Sequence, residues 1–199
     1  MTDPKTNSIL DEGNRLFLQG NFEQAINYYD KILDDDPKHV SSLNNKGYAL
    51  SKLKDFTTAL KCYDAALKIS PDDLSVLINK ISSFGKQGNL VEALMICDNI
   101  LKNNKNYNIV LYHKERILFS MEKFDESISC CNSILEDYPD NGDVLFDKAS
   151  NFAMLSNFDD ALNLLEHAIS QGIQYKIKAK KSKSFENLSN NTRFQNLIS

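Results

Sequence analysis

A chain of 199 residues, 42% of them apolar and 25% charged, is long enough to bury a core as one domain or as a short array of repeats. Its 7 glycines and 4 prolines are too few for a turn-rich sandwich or barrel, and a formal net charge of −4 argues against nucleic acid as a partner. No run approaches the roughly 18 uninterrupted apolar residues of a membrane span, and Met1 to Leu10 lacks a basic start and apolar run, so the chain reads as cytoplasmic and not membrane-inserted.

Pro37, Pro71 and Pro139 stand 34 and 68 residues apart, and frames of 34 bring like residues into columns. Residues 1–5 read as an N-terminal tail. The first unit, 6–39, has Ile9 and Leu16 seven apart on one helical face, a Gly20-Asn21 link, and then Phe22, Ala25, Ile26 and Leu33 on a second helix. Proline lacks an N–H and clashes with the preceding turn, so Asp34-Asp35-Asp36-Pro37 ends that helix. Unit 40–73 repeats the pattern with Leu43, Leu50, Phe56, Ala59, Leu60 and Leu67 before Pro71. Unit 74–107 places Leu77, Phe84, Leu90, Ala93, Leu94 and Leu101 in the same columns. Unit 108–141 follows with Leu111, Leu118, Phe124, Ser127, Ile128 and Leu135, and unit 142–173 with Leu145, Phe152, Phe158, Ala161, Leu162 and Ile169. Each unit is a helical hairpin, with small residues where antiparallel helices approach most closely. Beyond 173 comes a Lys-rich helical stretch, then Phe185 with Leu188 and Phe194 with Leu197 and Ile198, spaced for short helices that hide the open face of the last hairpin.

A unit of 34 residues with Gly13 or Gly47 early in the hairpin, then Ala25-Tyr29-Pro37 or Ala59-Tyr63-Ala66-Pro71, resembles the tetratricopeptide repeat. The tail over 174–199 is similar to the terminal cap of many bacterial and archaeal members. The resemblance implies an all-α fold, a right-handed α-solenoid of five helical hairpins plus C-terminal capping helices. Units three and four depart from the pattern. Ile81 and Glu115 replace the small residue of the first helix, Cys97 and Cys131 replace the aromatic, and Lys105 replaces the proline. Drift at tolerant positions explains this; the sharper alternative is a soft joint, because a Glu at a close helix contact is expected to snorkel or to find a cation, either of which widens the hairpin.

In the resembled family the first helices line a concave face, so function belongs on first-helix positions not spent on core. Asn45 and Asn79 occupy equivalent places, and an amide offers both donor and acceptor to an extended peptide. With Asn14, Tyr48, Tyr112, His113 and Arg116 they make the expected peptide-binding groove, the aromatic and cationic members being of the kind enriched at binding hot spots. Arg116 is also placed to pair with Asp147. The two-carboxylate clamp by which some family members hold chaperone tails is not matched, since Leu10, Ser75 and Asn79 stand where its cations belong.

Catalysis and cofactors find no foothold. Cys62, Cys97, Cys130 and Cys131 read as buried free thiols, and His39, His113 and His167 are too scattered for a metal site. The sequence therefore predicts a non-catalytic protein–protein interaction scaffold that binds a peptide or helix of a partner protein, without small-molecule substrate, cofactor or metal, and with self-association open. The alternative is an RNA-associated or anionic-surface adaptor using Lys176, Lys178, Lys180, Lys181 and Lys183, a cluster that otherwise reads as a solvated helix face.

Overall fold

The computed structural model describes residues 4–103 and 107–199, Asn103 by its backbone alone, so Lys105 lies outside the described residues. These residues form α1 (Pro4–Leu18), α2 (Phe22–Asp35), α3 (Val40–Lys52), α4 (Phe56–Ile69), α5 (Leu74–Gln87), α6 (Leu90–Asn103), α7 (Asn108–Ser120), α8 (Phe124–Asp137), α9 (Gly142–Met154), α10 (Phe158–Gln171), α11 (Gln174–Lys181) and α12 (Thr192–Ile198), with a short 3-10 helix over Lys183–Leu188. The chain divides into two compact units, Met1–Ile96 and Cys97–Ser199, and the division falls inside α6. In the first unit α1 packs on α2 and α3 on α4, while α2 and α4 each pack on the next helix. The second repeats this order with α7 on α8, α9 on α10, and α8 on α9. The fold is all-α, built of consecutive helix pairs.

One turn geometry closes every first helix. Gly20, Lys54, Gly88, Glu122 and Ser156, spaced by the repeat, hold φ of 81°, 66°, 88°, 59° and 61°. This left-handed residue lets the next N–H reach back five residues, as in Asn21 N to Leu16 O at 3.0 Å and Lys123 N to Leu118 O at 2.9 Å, and satisfies carbonyls that the helix end leaves orphaned. The first helices α3, α5 and α9 begin on side-chain caps: His39 Nδ1 accepts from Ser42 N at 3.2 Å, Asp73 Oδ1 from Val76 N at 3.1 Å, and Asn141 Oδ1 from Val144 N at 3.2 Å. The second helices α2, α4 and α8 end at Asp35, Ile69 and Asp137, just before their prolines.

Hairpin spacing rests on an exchange of bulk. A Cβ added at Gly13 would lie 2.7 Å from the Tyr29 ring, and one at Gly47 would lie 2.6 Å from the Tyr63 ring, so the tyrosines pack where a side chain is missing. In the fourth hairpin the bulk sits on the other helix: Glu115 takes the glycine position and Cys131 the tyrosine position, both buried. In the fifth, Ala149 and Leu165 share the space. The expectation that Glu115 snorkels or finds a cation is corrected here. Glu115 is only 2% exposed; it neither snorkels nor forms an ion pair among the described residues, and its Oε1 accepts from Ser127 Oγ at 3.0 Å and Asn151 Nδ2 at 3.4 Å. Ser127, in a column otherwise mostly alanine, supplies the hydroxyl, and Cys131 leaves the room.

A second periodic feature ties successive hairpins. Lys46 pairs with Asp30 at 2.5 Å, Lys80 with Asp64 at 2.6 Å and Lys114 with Asp98 at 2.7 Å, each joining a second helix to the first helix of the next hairpin. At the following junction Lys148 faces a column in which Asn132 replaces the aspartate. The C-terminal segment closes the second unit: Tyr175, Ala179, Phe185, Leu188 and Phe194 join one core with Phe146, Ala149 and Leu165. Phe185 is its centre, 5.6 Å from the Phe146 ring and 5.8 Å from that of Phe194.

Candidate functional site

In the first unit the first-helix asparagines bridge neighbouring first helices. Asn45 Nδ2 donates to Asn14 Oδ1 at 2.9 Å, and Tyr29 Oη donates to the same oxygen at 3.0 Å, which fills both acceptor sites of that carbonyl. Asn79 Nδ2 likewise donates to Asn44 Oδ1 at 2.9 Å. Each bond uses one N–H of a two-donor amide. Tyr48 stacks on Phe17 at 4.9 Å, and the Lys52 ammonium lies 5.0 Å over its ring. Asn14 and Asn45 are thus brought together, whereas Asn79 pairs with Asn44 and joins neither.

In the second unit Tyr112, His113 and Arg116 rise from α7. The Arg116 guanidinium sits 5.7 Å over the Tyr112 ring, and His113 is half-buried on the same helix. Arg116 also borders a cleft of about 250 Å³ with Glu115, Phe119, Phe146, Asp147 and Ser182. A second cleft adjoins it, sharing Arg116, Phe146, Asp147 and Ser182 and adding Tyr112 and Lys181. The aromatic walls come from α7 and α9, and the hydroxyls from Ser120 and Ser150 on the same two helices and from Ser182 and Ser184 after α11.

The cleft holds the most perturbed carboxyls. Burial, with the Asp147 charge next, pushes Glu115 up to about 7 against the stabilising bonds from Ser127 and Asn151. Burial pushes half-buried Asp147 up to about 6, opposed by the fields of Arg116 and Lys178. Glu115 Oε2 and Asn151 Oδ1 are buried without a hydrogen-bond partner. Sequence reasoning marked Glu115 as a spacing anomaly and missed it as part of a site, along with Phe146 and Ser182. The available signal was the coupled pair of departures, Glu115 in a column of small residues and Ser127 in a column of alanines.

The cysteines are buried and free. Burial raises all four thiols, Cys97 to about 12 and Cys130 to about 11. Among the described residues no group of three or more His, Cys, Asp or Glu side chains gathers as metal ligands would, and no helix is long and apolar enough to cross a membrane. In the lysine cluster Lys178 pairs with Asp143 at 2.6 Å and Lys176 Nζ donates to the Ser199 carbonyl oxygen at 2.9 Å, while Lys180, Lys181 and Lys183 are exposed.

The family model for the tetratricopeptide repeat matches residues 10–73. Solved repeat structures share this chain's fold. YrrB, described as a tetratricopeptide repeat protein with an unusual peptide-binding site, is 20% identical, with 87% of this chain and 91% of that one covered and a TM-score of 0.68. MamA is 18% identical over 89% of this chain and 96% of its own, with a TM-score of 0.71. A double mutant of MamA from RS-1 reaches a TM-score of 0.76 at 14% identity, over 92% of this chain and 100% of that one. Among curated proteins none matches this chain significantly by sequence.

Proposed function

We propose that this protein is a non-catalytic interaction module that receives a segment of a partner protein on its first-helix face. The observation that carries the reading is the pair of adjoining clefts on α7 and α9, walled by Tyr112, Phe119 and Phe146 and edged by Arg116 and Asp147. Concave surfaces of aromatic and a few convergent polar groups suit a peptide side chain better than a flat solvated face does. Asn14, Asn45, Tyr48 and Asn79 in the first unit, with Tyr112, His113 and Arg116 in the second, are the proposed contacts. A peptide-binding neighbour of the same fold, YrrB, supports the class of ligand. Thiols raised by burial make poor nucleophiles, which favours binding over chemistry. The cytoplasm is the proposed location.

Selection of displayed random peptides on the intact protein tests this reading. Selected peptides should bind the Asn45→Ala/Asn79→Ala and Tyr112→Ala/Arg116→Ala variants about tenfold more weakly or worse, as loss of a hot-spot contact does. Unchanged affinity for both variants would refute the groove. The adaptor alternative based on the C-terminal lysines now draws on Lys180, Lys181 and Lys183, since Lys176 and Lys178 have partners of their own.

A further inference from the structure

We propose that the cleft floored by Glu115 is a specificity pocket for a primary ammonium group, the lysine side chain of a bound partner segment. The inference rests on the groove reading and gives it a ligand chemistry.

Two buried acceptors stand unsatisfied, one on Glu115, which lines the cleft, and one on Asn151, which hydrogen-bonds Glu115 from behind the lining. Glu115 Oε1 takes the Ser127 hydroxyl and the Asn151 amide, but Oε2 has no partner, and neither has Asn151 Oδ1. Native proteins seldom leave such atoms unpaired, because each costs about 1–3 kcal/mol. What both lack is a donor. Asp147 adds a second carboxyl at the cleft edge. An anion is disfavoured by both carboxyls. A guanidinium is planar and wide, whereas an ammonium on four methylenes is slim, carries three donors and can lay its stem on the Phe119 and Phe146 rings. Lys178 from the neighbouring helix is already engaged by Asp143 at 2.6 Å.

The titrating surroundings give the binding a sign. Glu115 faces Arg116 on its own helix, Ser127, Cys130 and Cys131 on α8, and Asp147 and Asn151 on α9; Asp143 and Lys178 act on Asp147 in turn. An entering ammonium requires Glu115 as carboxylate. With that carboxyl near 7, binding releases a proton at neutral pH, and affinity rises from pH 6 to 8. A ligand accepting a hydrogen bond from protonated Glu115 would show the reverse slope.

The test is an NMR titration of the full chain with n-butylammonium, n-butanol and n-butyrate. Saturable shifts of the Glu115, Arg116 and Asp147 amides by n-butylammonium alone are expected, strengthening with pH and weakened about tenfold or more in Glu115→Gln. Glu115→Gln keeps the shape and the Ser127 bond, and an unchanged amide spectrum elsewhere verifies its fold. Equal binding of n-butanol, an unaffected Glu115→Gln variant, or no saturation would overturn the pocket. Selected peptides that bind the groove without lysine and ignore Glu115→Gln would refute the pocket and leave the groove standing. Peptides insensitive to every first-helix variant would remove both.

Discussion

Glu115 should make stability fall as pH rises from about 4.5 to 7. Its carboxyl moves from 4.5 in the unfolded chain to about 7 in the fold, so the folded state holds the proton more tightly. A carboxyl raised by folding contributes fully while both states are protonated, and its contribution is lost as pH rises from the unfolded value through the folded one. The window runs from about pH 4.5 to 7, and the loss levels off above it at about 3 kcal/mol, the free energy of the displaced titration. Glu115→Gln holds the neutral shape at every pH. Its amide oxygen still accepts from Ser127 and Asn151, so the variant should match the wild type near pH 4.5 and exceed it by about 3 kcal/mol at pH 8. Urea unfolding of both proteins at several pH values measures the difference directly. A gap that stays constant from pH 5 to 8 would refute the reasoning, for it would mean that Glu115 titrates alike in both states.

Three further substitutions probe the frame. Phe185→Ala empties the centre of the C-terminal core and should cost about 3–5 kcal/mol, seen in calorimetry and as lost amide protection in α9 and α10; an unchanged melt would show that the segment covers nothing. Lys54→Gly and Ser156→Gly should each stabilise by up to about 1 kcal/mol in denaturant unfolding, because their left-handed φ of 66° and 61° strains any residue with a Cβ. Gly47→Ala should destabilise by about 1–3 kcal/mol despite alanine's better helix propensity, since the new Cβ meets the Tyr63 ring at 2.6 Å. Pairing it with Tyr63→Leu, the combination that Ala149 and Leu165 already use, should recover part of the loss in a double-mutant cycle.

The hairpins were legible because their information is periodic. Leu16, Leu50, Phe84, Leu118 and Phe152 mark one buried or half-buried stripe, and the same residues offer the carbonyls that the left-handed turn caps. That turn was half visible, as Gly20 and Gly88 with a non-glycine residue between them at Lys54. The ion pairs were equally periodic, Asp30, Asp64 and Asp98 against Lys46, Lys80 and Lys114, but charged columns also occur on solvated faces, so spacing alone does not assign partners. The asparagine column showed its position and not its bonds. Whether Asn45 offers its amide to a peptide or to Asn14 depends on how closely neighbouring first helices approach.

Glu115 was hardest to read because each departure looks like damage when taken singly. A carboxyl at a helix contact, a lost tyrosine and a serine for alanine are each unfavourable, yet together they conserve volume and supply a hydrogen bond. What they do not supply is a partner for Oε2. A purely structural compensation has no reason to stop there, since a leucine would fill the same space without any orphaned acceptor. In a repeat array stability is summed over neighbouring interfaces, so one hairpin can carry an unsatisfied carboxyl without unfolding the rest. The cost is then local to α7 and α8, and a donor entering the cleft would reverse it there. Ligand binding should therefore raise amide protection first in the fourth hairpin.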